Sequence, residues 1–240
     1  MKIALLGYGK MGKTIAKLIE TQYPQHDIIL CVNSKNSDKI SVAQLATADV
    51  AIEFSTPETA YTNILKAFEA NLPIVCGTTA WLSQLENIKN LCKNDNKTFF
   101  YASNFSIGVN IFFALNKKLA ELMQSQNSYH LQVDEIHHTE KKDAPSGTGI
   151  SLANDIISLQ KNKTKWLNEV SNDNEVVPIV SHRKHDVKGT HLVAYRSAID
   201  DIEIKHTAHS REGFAKGAIT AAEWLQGKQG FFGMNDMLAL

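Results

Sequence analysis

Residues 2–12 read KIALLGYGKMG, a short apolar run followed by three glycines spaced G-x-G-x-x-G. The run is continuous in hydrophobicity, as a buried strand is, and Met11, Ile15, Leu18 and Ile19 then recur at helical spacing. Glycines between a strand and a helix have a mechanical reading. Gly7 makes the tight turn, Gly9 lets the backbone approach a pyrophosphate, and Gly12 permits close helix–strand packing. The helix N-terminus then faces the negative charge. Gly7, Tyr8, Gly9, Lys10, Met11 and Gly12 are therefore candidate dinucleotide contacts.

The alternation continues down the chain. DIILCVN (27–33), ADVAIEFS (48–55), LPIVCGTT (72–79) and TFFYASN (98–104) read as four further strands, with helical patterns between the last three. Continuous apolar strands separated by helices predict a parallel sheet covered on both faces, an α/β fold of Rossmann type. Ligands bind at the carboxyl ends of such strands. Two loops fall there, Gly77-Thr78-Thr79 and Ala102-Ser103-Asn104-Phe105, and their small, donor-rich residues suit a nicotinamide amide and ribose. The second strand ends in Val32-Asn33-Ser34-Lys35, without the carboxylate that often holds a ribose 2′-hydroxyl. Asn33 and Lys35 are candidate contacts, and a lysine facing a 2′-phosphate favours NADPH over NADH. A solvated turn lysine remains the alternative.

The rhythm changes after about residue 105, which bounds a first, dinucleotide-binding domain at 1–105. A long helical pattern (107–123), a strand (130–138) and a helix with Ile150, Ala153 and Ile157 on one face come next. A polar stretch (161–175) precedes three strand-like runs, VVPIVSHR, THLVAYRSA and IEIKHTA. Successive strands after a helix indicate an α+β second domain on an antiparallel or mixed sheet, spanning 106–211.

Composition narrows the function classes. The 240 residues are 43% hydrophobic and 21% charged, near the globular norm, so disordered and coiled-coil classes drop out. Lys+Arg and Asp+Glu both number 25, which gives no bulk positive field for nucleic acid or an anionic membrane. Apolar runs are too short to span a bilayer, and two glycines interrupt the N-terminal run where a signal peptide would continue. Cys31, Cys76 and Cys92 form no C-x-x-C pair and suit reduced thiols in a cytoplasmic protein.

The densest chemistry is DEIHHTEKKDAPSGTG, residues 134–149. His137 and His138 close a strand, a polar loop follows, and Ser146 is a fair N-cap for the next helix. Backbone N–H groups near Gly147 and Thr148, with the threonine hydroxyl, would bind a carboxylate, and Lys141 would add an ammonium. An exposed loop beside a helix start is the bland reading of the same residues.

The string EIHHTEKKDAPSGTG (135–149) resembles the E-x-H-H-x-x-K-x-D-A-P-S-G-T motif of the 4-hydroxy-tetrahydrodipicolinate reductase (dihydrodipicolinate reductase) family. GYGKMG, GTT, ASNFSIGVN, SHR…GTH and FAKGA match it too, in order, over nearly the whole chain. The resemblance implies NADH- or NADPH-dependent reduction of a cyclic dicarboxylic imine on the diaminopimelate route to lysine. It assigns His137 and Lys141 to proton supply, His138 to substrate, Gly147-Thr148 to one carboxylate, and residues 7–12, 77–79 and 102–105 to the cofactor. It further implies a homotetramer built on the second sheet, and a last helix, about 212–240, that returns to the first domain. Three departures stand out. Thr139-Glu140 replaces a basic loop residue common in relatives, Thr56 replaces a basic residue after the third strand, and His185 stands where glycine is frequent. Arg183 is structural or near the substrate.

Three rivals have sequence support. Cys76 beside two threonines could be the nucleophile of an aldehyde dehydrogenase-type enzyme, but it lies in an apolar strand. His182, His185 and His191 could coordinate zinc, but strand alternation separates them and no H-E-x-x-H or paired cysteines appear, so no metal is expected. A nucleotide-sensing Rossmann protein without catalysis is the third, and the proton-donor, lysine and carboxylate-binding set argues against it.

Overall fold

A computed structural model describes residues 1–36 and 40–240. In chain order the elements are β1 (Lys2–Leu6), α1 (Lys10–Gln22), β2 (Asp27–Val32), α2 (Val42–Leu45), β3 (Val50–Glu53), α3 (Pro57–Glu69), β4 (Ile74–Cys76), α4 (Leu85–Asn94) and β5 (Thr98–Tyr101). Then come α5 (Ile107–Met123), β6 (His130–His137), α6 (Gly147–Leu159), β7 (Lys165–Leu167), β8 (Val176–Arg183), β9 (Thr190–Arg196) and β10 (Asp201–Thr207). The chain ends with α7 (Glu212–Trp224), β11 (Gly230–Phe232) and α8 (Met234–Leu238). Two compact units result, Met1–Ile107 with Glu212–Leu240, and Gly108–Arg211.

In the first unit the strand order is β11-β5-β4-β3-β1-β2, and every pairing is parallel. Alternating side chains feed two cores. Ile3 and Leu5 of β1 pack with Ile15, Leu18 and Ile19 of α1 and with Ala218 and Ile219 of α7. Ala4 and Leu6 face the other way, toward Ile64 and Phe68 of α3 and Ile88 of α4. The chain steps from β1 to β2 on one side and then to β3 on the other, so the ends of β1 and β3 form a topological switch point.

The C-terminal segment corrects the expectation of one helix over 212–240. Helix α7 stops at Trp224, Gly227 turns at φ +74°, and β11 adds a sixth strand beside β5. Three residues are too few to show a strand period, so the sequence alone reads as helix across this edge. Strand β7, inside the polar 161–175 stretch, is hidden for the same reason.

The second unit carries a mixed sheet, β10-β9-β6-β8-β7. Central β6 pairs parallel with β8 and antiparallel with β9. Leu131 and Val133 of β6, Ile179 of β8 and Val193 of β9 meet Phe112 and Met123 of α5 and Leu152 and Ile156 of α6. The buried face of α6 is thus Gly149, Leu152, Ala153 and Ile156, with the expected Ile150 and Ile157 flanking it. Among the described residues no helix is long and apolar enough to cross a membrane.

Candidate active site

The first unit holds a cavity of about 470 Å³ at its switch point, lined by Gly7, Tyr8 and Gly9 after β1, Asn33 and Ser34 after β2, and Ser55 after β3, among others. The glycines divide their labour as the spacing implies. Gly7 has φ +102°, and a Cβ there would lie 2.2 Å from the Phe54 carbonyl oxygen. A Cβ on Gly12 would lie 2.2 Å from the Gly7 oxygen, so α1 is pressed against the turn. A Cβ on Gly9 would meet nothing within 4 Å. That open backbone, at the N-cap of a helix whose cap makes no side-chain hydrogen bond, fits the pyrophosphate of a dinucleotide.

The other expected contacts differ in what they have free. Lys35 is exposed, and its N–H donates to Asn33 Oδ1 at 2.8 Å in a tight turn. Thr78 is buried: its hydroxyl oxygen accepts from Ser55 N at 2.9 Å and its carbonyl from Trp81 Nε1 at 2.7 Å. The Phe54 ring covers Gly77, while Thr79 and Ser103 are exposed. Ala102 is buried and Phe105 is a core side chain, its ring against Phe54 and Phe100. Asn104 Oδ1 accepts from Ser106 N at 2.9 Å. Cys76 is fully buried with its thiol 3.1 Å from Glu53 Oε2. Burial, then the Glu53 charge, pushes that thiol well above the usual cysteine range, which disfavours the thiolate that a nucleophile needs and argues against the aldehyde dehydrogenase-type rival.

In the second unit the inward face of β6 changes character along its length. Leu131 and Val133 are apolar, and the next two inward positions are Glu135 and His137. Sheet register sets Ser181 of β8 and His191 of β9 directly beside Glu135. Glu135 is fully buried, and its carboxylate accepts from Ser146 N at 2.9 and 3.0 Å, from Ser181 Oγ at 2.8 Å and from Ser146 Oγ. Burial raises this carboxyl, but the Ser146 hydroxyl, the Ser146 N–H, Ser181 and His137 outweigh it, and the net displacement is downward.

Ser146 therefore does two jobs. It caps α6, accepting from Gly149 N at 3.1 Å, and it anchors that helix start to Glu135. With its one proton on Glu135, its remaining lone pair takes an N–H from His191 Nε2 at 3.2 Å. Gly147 and Thr148 follow, and a Cβ on Gly147 would meet nothing within 4 Å, so that helix end is open to a ligand. His191 is 5% exposed and is held at about 4 by burial, with the neighbouring His137 adding to it.

His137 lies 7% exposed beside this row. Burial lowers its pKa, Glu135 raises it, Lys141 and Arg183 lower it, and the balance is below the ordinary histidine value. Lys141 Nζ binds both oxygens of Asp143 at 2.8 Å. Arg183 holds the same loop by its carbonyls, donating to Lys141 O at 3.3 Å and to Asp143 O at 2.7 Å. His138 instead lines a cavity of about 470 Å³ with Glu140, His185, Asp186, Lys188, His209 and Arg211, a mixed-charge setting in which Lys188 is paired with Asp186. The zinc trio does not assemble: His182 bonds Asp134 at 3.3 Å on the solvent side, His185 lines that cavity, and His191 is buried on Glu135. Glu135, His137 and His191 do lie close enough to share an ion, but serine donors already occupy the carboxylate.

Family models of dihydrodipicolinate reductase match in two parts, the N-terminus over residues 1–105 and the C-terminus over 108–238. The chain belongs to the dihydrodipicolinate reductase family. It is 45% identical over 241 residues to the 4-hydroxy-tetrahydrodipicolinate reductase of Christiangramia forsetii, covering 100% of this chain and 98% of the relative. The Staphylococcus aureus reductase is 35% identical over 252 residues, 99% of this chain and 100% of its own. A solved dihydrodipicolinate reductase from Paenisporosarcina sp. TG-14 superposes with a TM-score of 0.78 at 20% identity, covering 98% of both chains, and shares the fold. Dihydrodipicolinate reductases are pyridine-nucleotide-dependent oxidoreductases acting on a small substrate, and this chain is one. Sequence reasoning passed over Glu135, Ser181 and the site role of His191. A signal existed for the first, because residues two apart on a strand share a face.

Proposed function

We propose that the chain reduces 4-hydroxy-tetrahydrodipicolinate to tetrahydrodipicolinate with NADPH or NADH, in the diaminopimelate route to lysine. A hydride and a proton enter and the 4-hydroxyl oxygen leaves as water. The reduced nicotinamide supplies the hydride. His137 supplies the proton, and Lys141 exchanges Asp143 for a substrate carboxylate, so that fixed positive charge meets the negative charge developing on the ring. Gly147 and Thr148 bind one carboxylate through the start of α6, and His138 binds substrate from its cavity, beside Arg211.

The observation that carries this reading is the junction at Glu135, where one buried carboxylate joins the acid-bearing strand to the open end of α6. For the cofactor, Gly7 to Gly12, Asn33, Gly77, Thr79, Ser103 and Asn104 are the contacts, with Thr78, Ala102 and Phe105 shaping their loops from behind. Lys35 inclines the site to NADPH. Ile199, Ile202 and Leu122, exposed at or near the β10 edge and on α5, support a homotetramer. The enzyme works in the cytoplasm, without nucleic-acid or membrane partners.

The test is oxidation of each reduced nicotinamide in the presence of substrate freshly made from aspartate semialdehyde and pyruvate. Turnover with either supports the reading, and a lower KM for NADPH supports the role of Lys35. Cofactor binding without oxidation would instead favour the nucleotide sensor.

A further inference from the structure

Among the described residues, three buried side-chain atoms have no hydrogen-bond partner, and one of them is Nδ1 of His137. It faces Glu135 Oε1 at 4.0 Å. A buried ring nitrogen left unpaired costs free energy, so its persistence beside a carboxylate calls for a reason. The carboxylate can supply one. Its oxygens offer about four lone-pair sites, and Ser146 N, Ser146 Oγ and Ser181 Oγ are three donors. Oε1, which Nδ1 faces, accepts from Ser146 N, a donor shared with Oε2, and from Ser181 Oγ, whose proton has Asn168 Oδ1 as a second acceptor at 2.9 Å. A direction on Oε1 opens to Nδ1 when either donor turns to its other acceptor.

The other side of the ring is kept clear. Gly189, at φ +153°, would place a Cβ 3.4 Å from His137 Nε2, so the lack of a side chain there leaves Nε2 room to meet a ligand. The charged and titratable groups around the ring are Glu135 on its own strand, Lys141 and Asp143 on the loop, Arg183 on β8 and His191 on β9, whose ring centroid is 5.1 Å away. Glu135 is the buried anion of this set, and two cations oppose it.

We propose that Glu135 is a positioning residue for the reaction: its buried carboxylate draws the Nδ1 proton of His137 and so presents Nε2–H to the substrate, while its hold on Ser146 fixes the carboxylate-binding end of α6 in register with that proton. The proposal rests on His137 being the proton donor. It adds that donor and anchor are set by one carboxylate. When the dianionic substrate arrives and His137 carries both protons, the 4.0 Å separation closes to a charge-assisted hydrogen bond. Loss of the Glu135 charge leaves His137 among Lys141 and Arg183 with only the more distant influence of Asp143, already paired with Lys141, to oppose them.

Two variants test this with opposite signs. Glu135→Gln keeps a side-chain carbonyl to accept from Ser146 and removes the charge. Ser181→Ala keeps the charge and removes a donor that competes for Oε1. Ring-nitrogen NMR of the full-length protein, with His137 assigned by its loss in His137→Gln, gives each titration midpoint and tautomer. Glu135→Gln should lower the His137 midpoint by about one pH unit or more and abolish its Nδ1–H tautomer. Ser181→Ala should raise the midpoint by a few tenths of a unit. Turnover of Glu135→Gln should fall roughly 10- to 10³-fold, with KM for substrate changed less than about threefold and the alkaline limb of kcat/KM moved to lower pH. A His137 midpoint unmoved in both variants overturns the role of Glu135 alone. A moved midpoint with parental turnover overturns His137 as donor, and this proposal with it. Should Glu135→Gln fail to fold, the upward shift in Ser181→Ala still decides, and its absence overturns the proposal.

Discussion

The proposed mechanism places its chemistry on two side chains, His137 and Lys141, and each can be removed without emptying a core. His137→Gln and Lys141→Ala should each lower kcat by roughly 10²–10⁴-fold, the weight of a positioned acid or a fixed charge. Steady-state rates within a few-fold of the parent would remove both from their roles. The pH profile carries a sign. In the proposed mechanism His137 acts protonated, and burial holds its pKa below the ordinary histidine value of 6.5. In the free enzyme the active form is therefore lost as pH rises through a midpoint below that value, and kcat/KM should decline above it. Two substrate carboxylates favour the imidazolium, so the limb in kcat should lie at higher pH than the limb in kcat/KM. Coincident limbs, or a flat kcat/KM between pH 5 and 8, would assign the proton to another group. Lys141 reaches this site with Asp143 already bound, so substrate must displace an existing ion pair rather than a hydrated ammonium.

The proposed function puts backbone and ligand together at a helix start in each unit, and glycines separate the structural from the binding duties there. Gly12→Ala would set a methyl 2.2 Å from the Gly7 oxygen, and the roughly 1 kcal/mol of helix propensity gained is outweighed by an overpacking cost of about 1–3 kcal/mol. Gly147→Ala meets nothing within 4 Å, so its unfolding midpoint should stay near the parental one while KM for substrate rises. Chemical denaturation beside substrate titration checks the pair, and the reverse pattern would mean that the two helix ends had been misread. The Gly7/Gly9/Gly12 division was legible in the sequence because a tight turn and its helix are local, spanning a few residues. Strands β1 to β5 were legible because a doubly covered sheet needs unbroken apolar runs. The α7, β11 and α8 sequence was not, since a strand of three residues shows no period. The row of Ser181, Glu135 and His191 was hidden for another reason: strand register joins residues 46 and 56 positions apart from Glu135, and no local pattern encodes it. Only the same-face spacing of Glu135 and His137 lay within local reach.

At the scale of the whole molecule, the polar row makes the second unit sensitive to acid. His191 is neutral in the folded chain, donating from Nε2 to Ser146, and its pKa is held at about 4. In the unfolded chain it titrates near 6.5. Below 6.5 the unfolded state binds the proton and the folded state does not, so unfolding gains free energy as pH falls. The contribution is fully present above about 6.5 and is lost progressively down to about 4. A gap of that size corresponds to roughly 3 kcal/mol, a large share of the stability of an ordinary domain. Glu135 adds a second loss in the same direction, because a carboxyl held below its usual range gives up stability only when pH falls through that lower value. Its window lies under the ordinary carboxylate range, so the interval from 6.5 to 5 belongs mainly to the histidines. His191→Gln places an amide donor near Ser146 and cannot titrate. Calorimetric unfolding at a series of pH values should show the parent losing stability steadily from pH 6.5 toward 5, and His191→Gln should start lower at pH 7 but run flatter across that interval. Parallel slopes in the two proteins would mean that His191 takes up its second proton, on Nδ1, as readily in the folded chain as in the unfolded one, with Nε2–H still on Ser146, so that burial does not disfavour the imidazolium there.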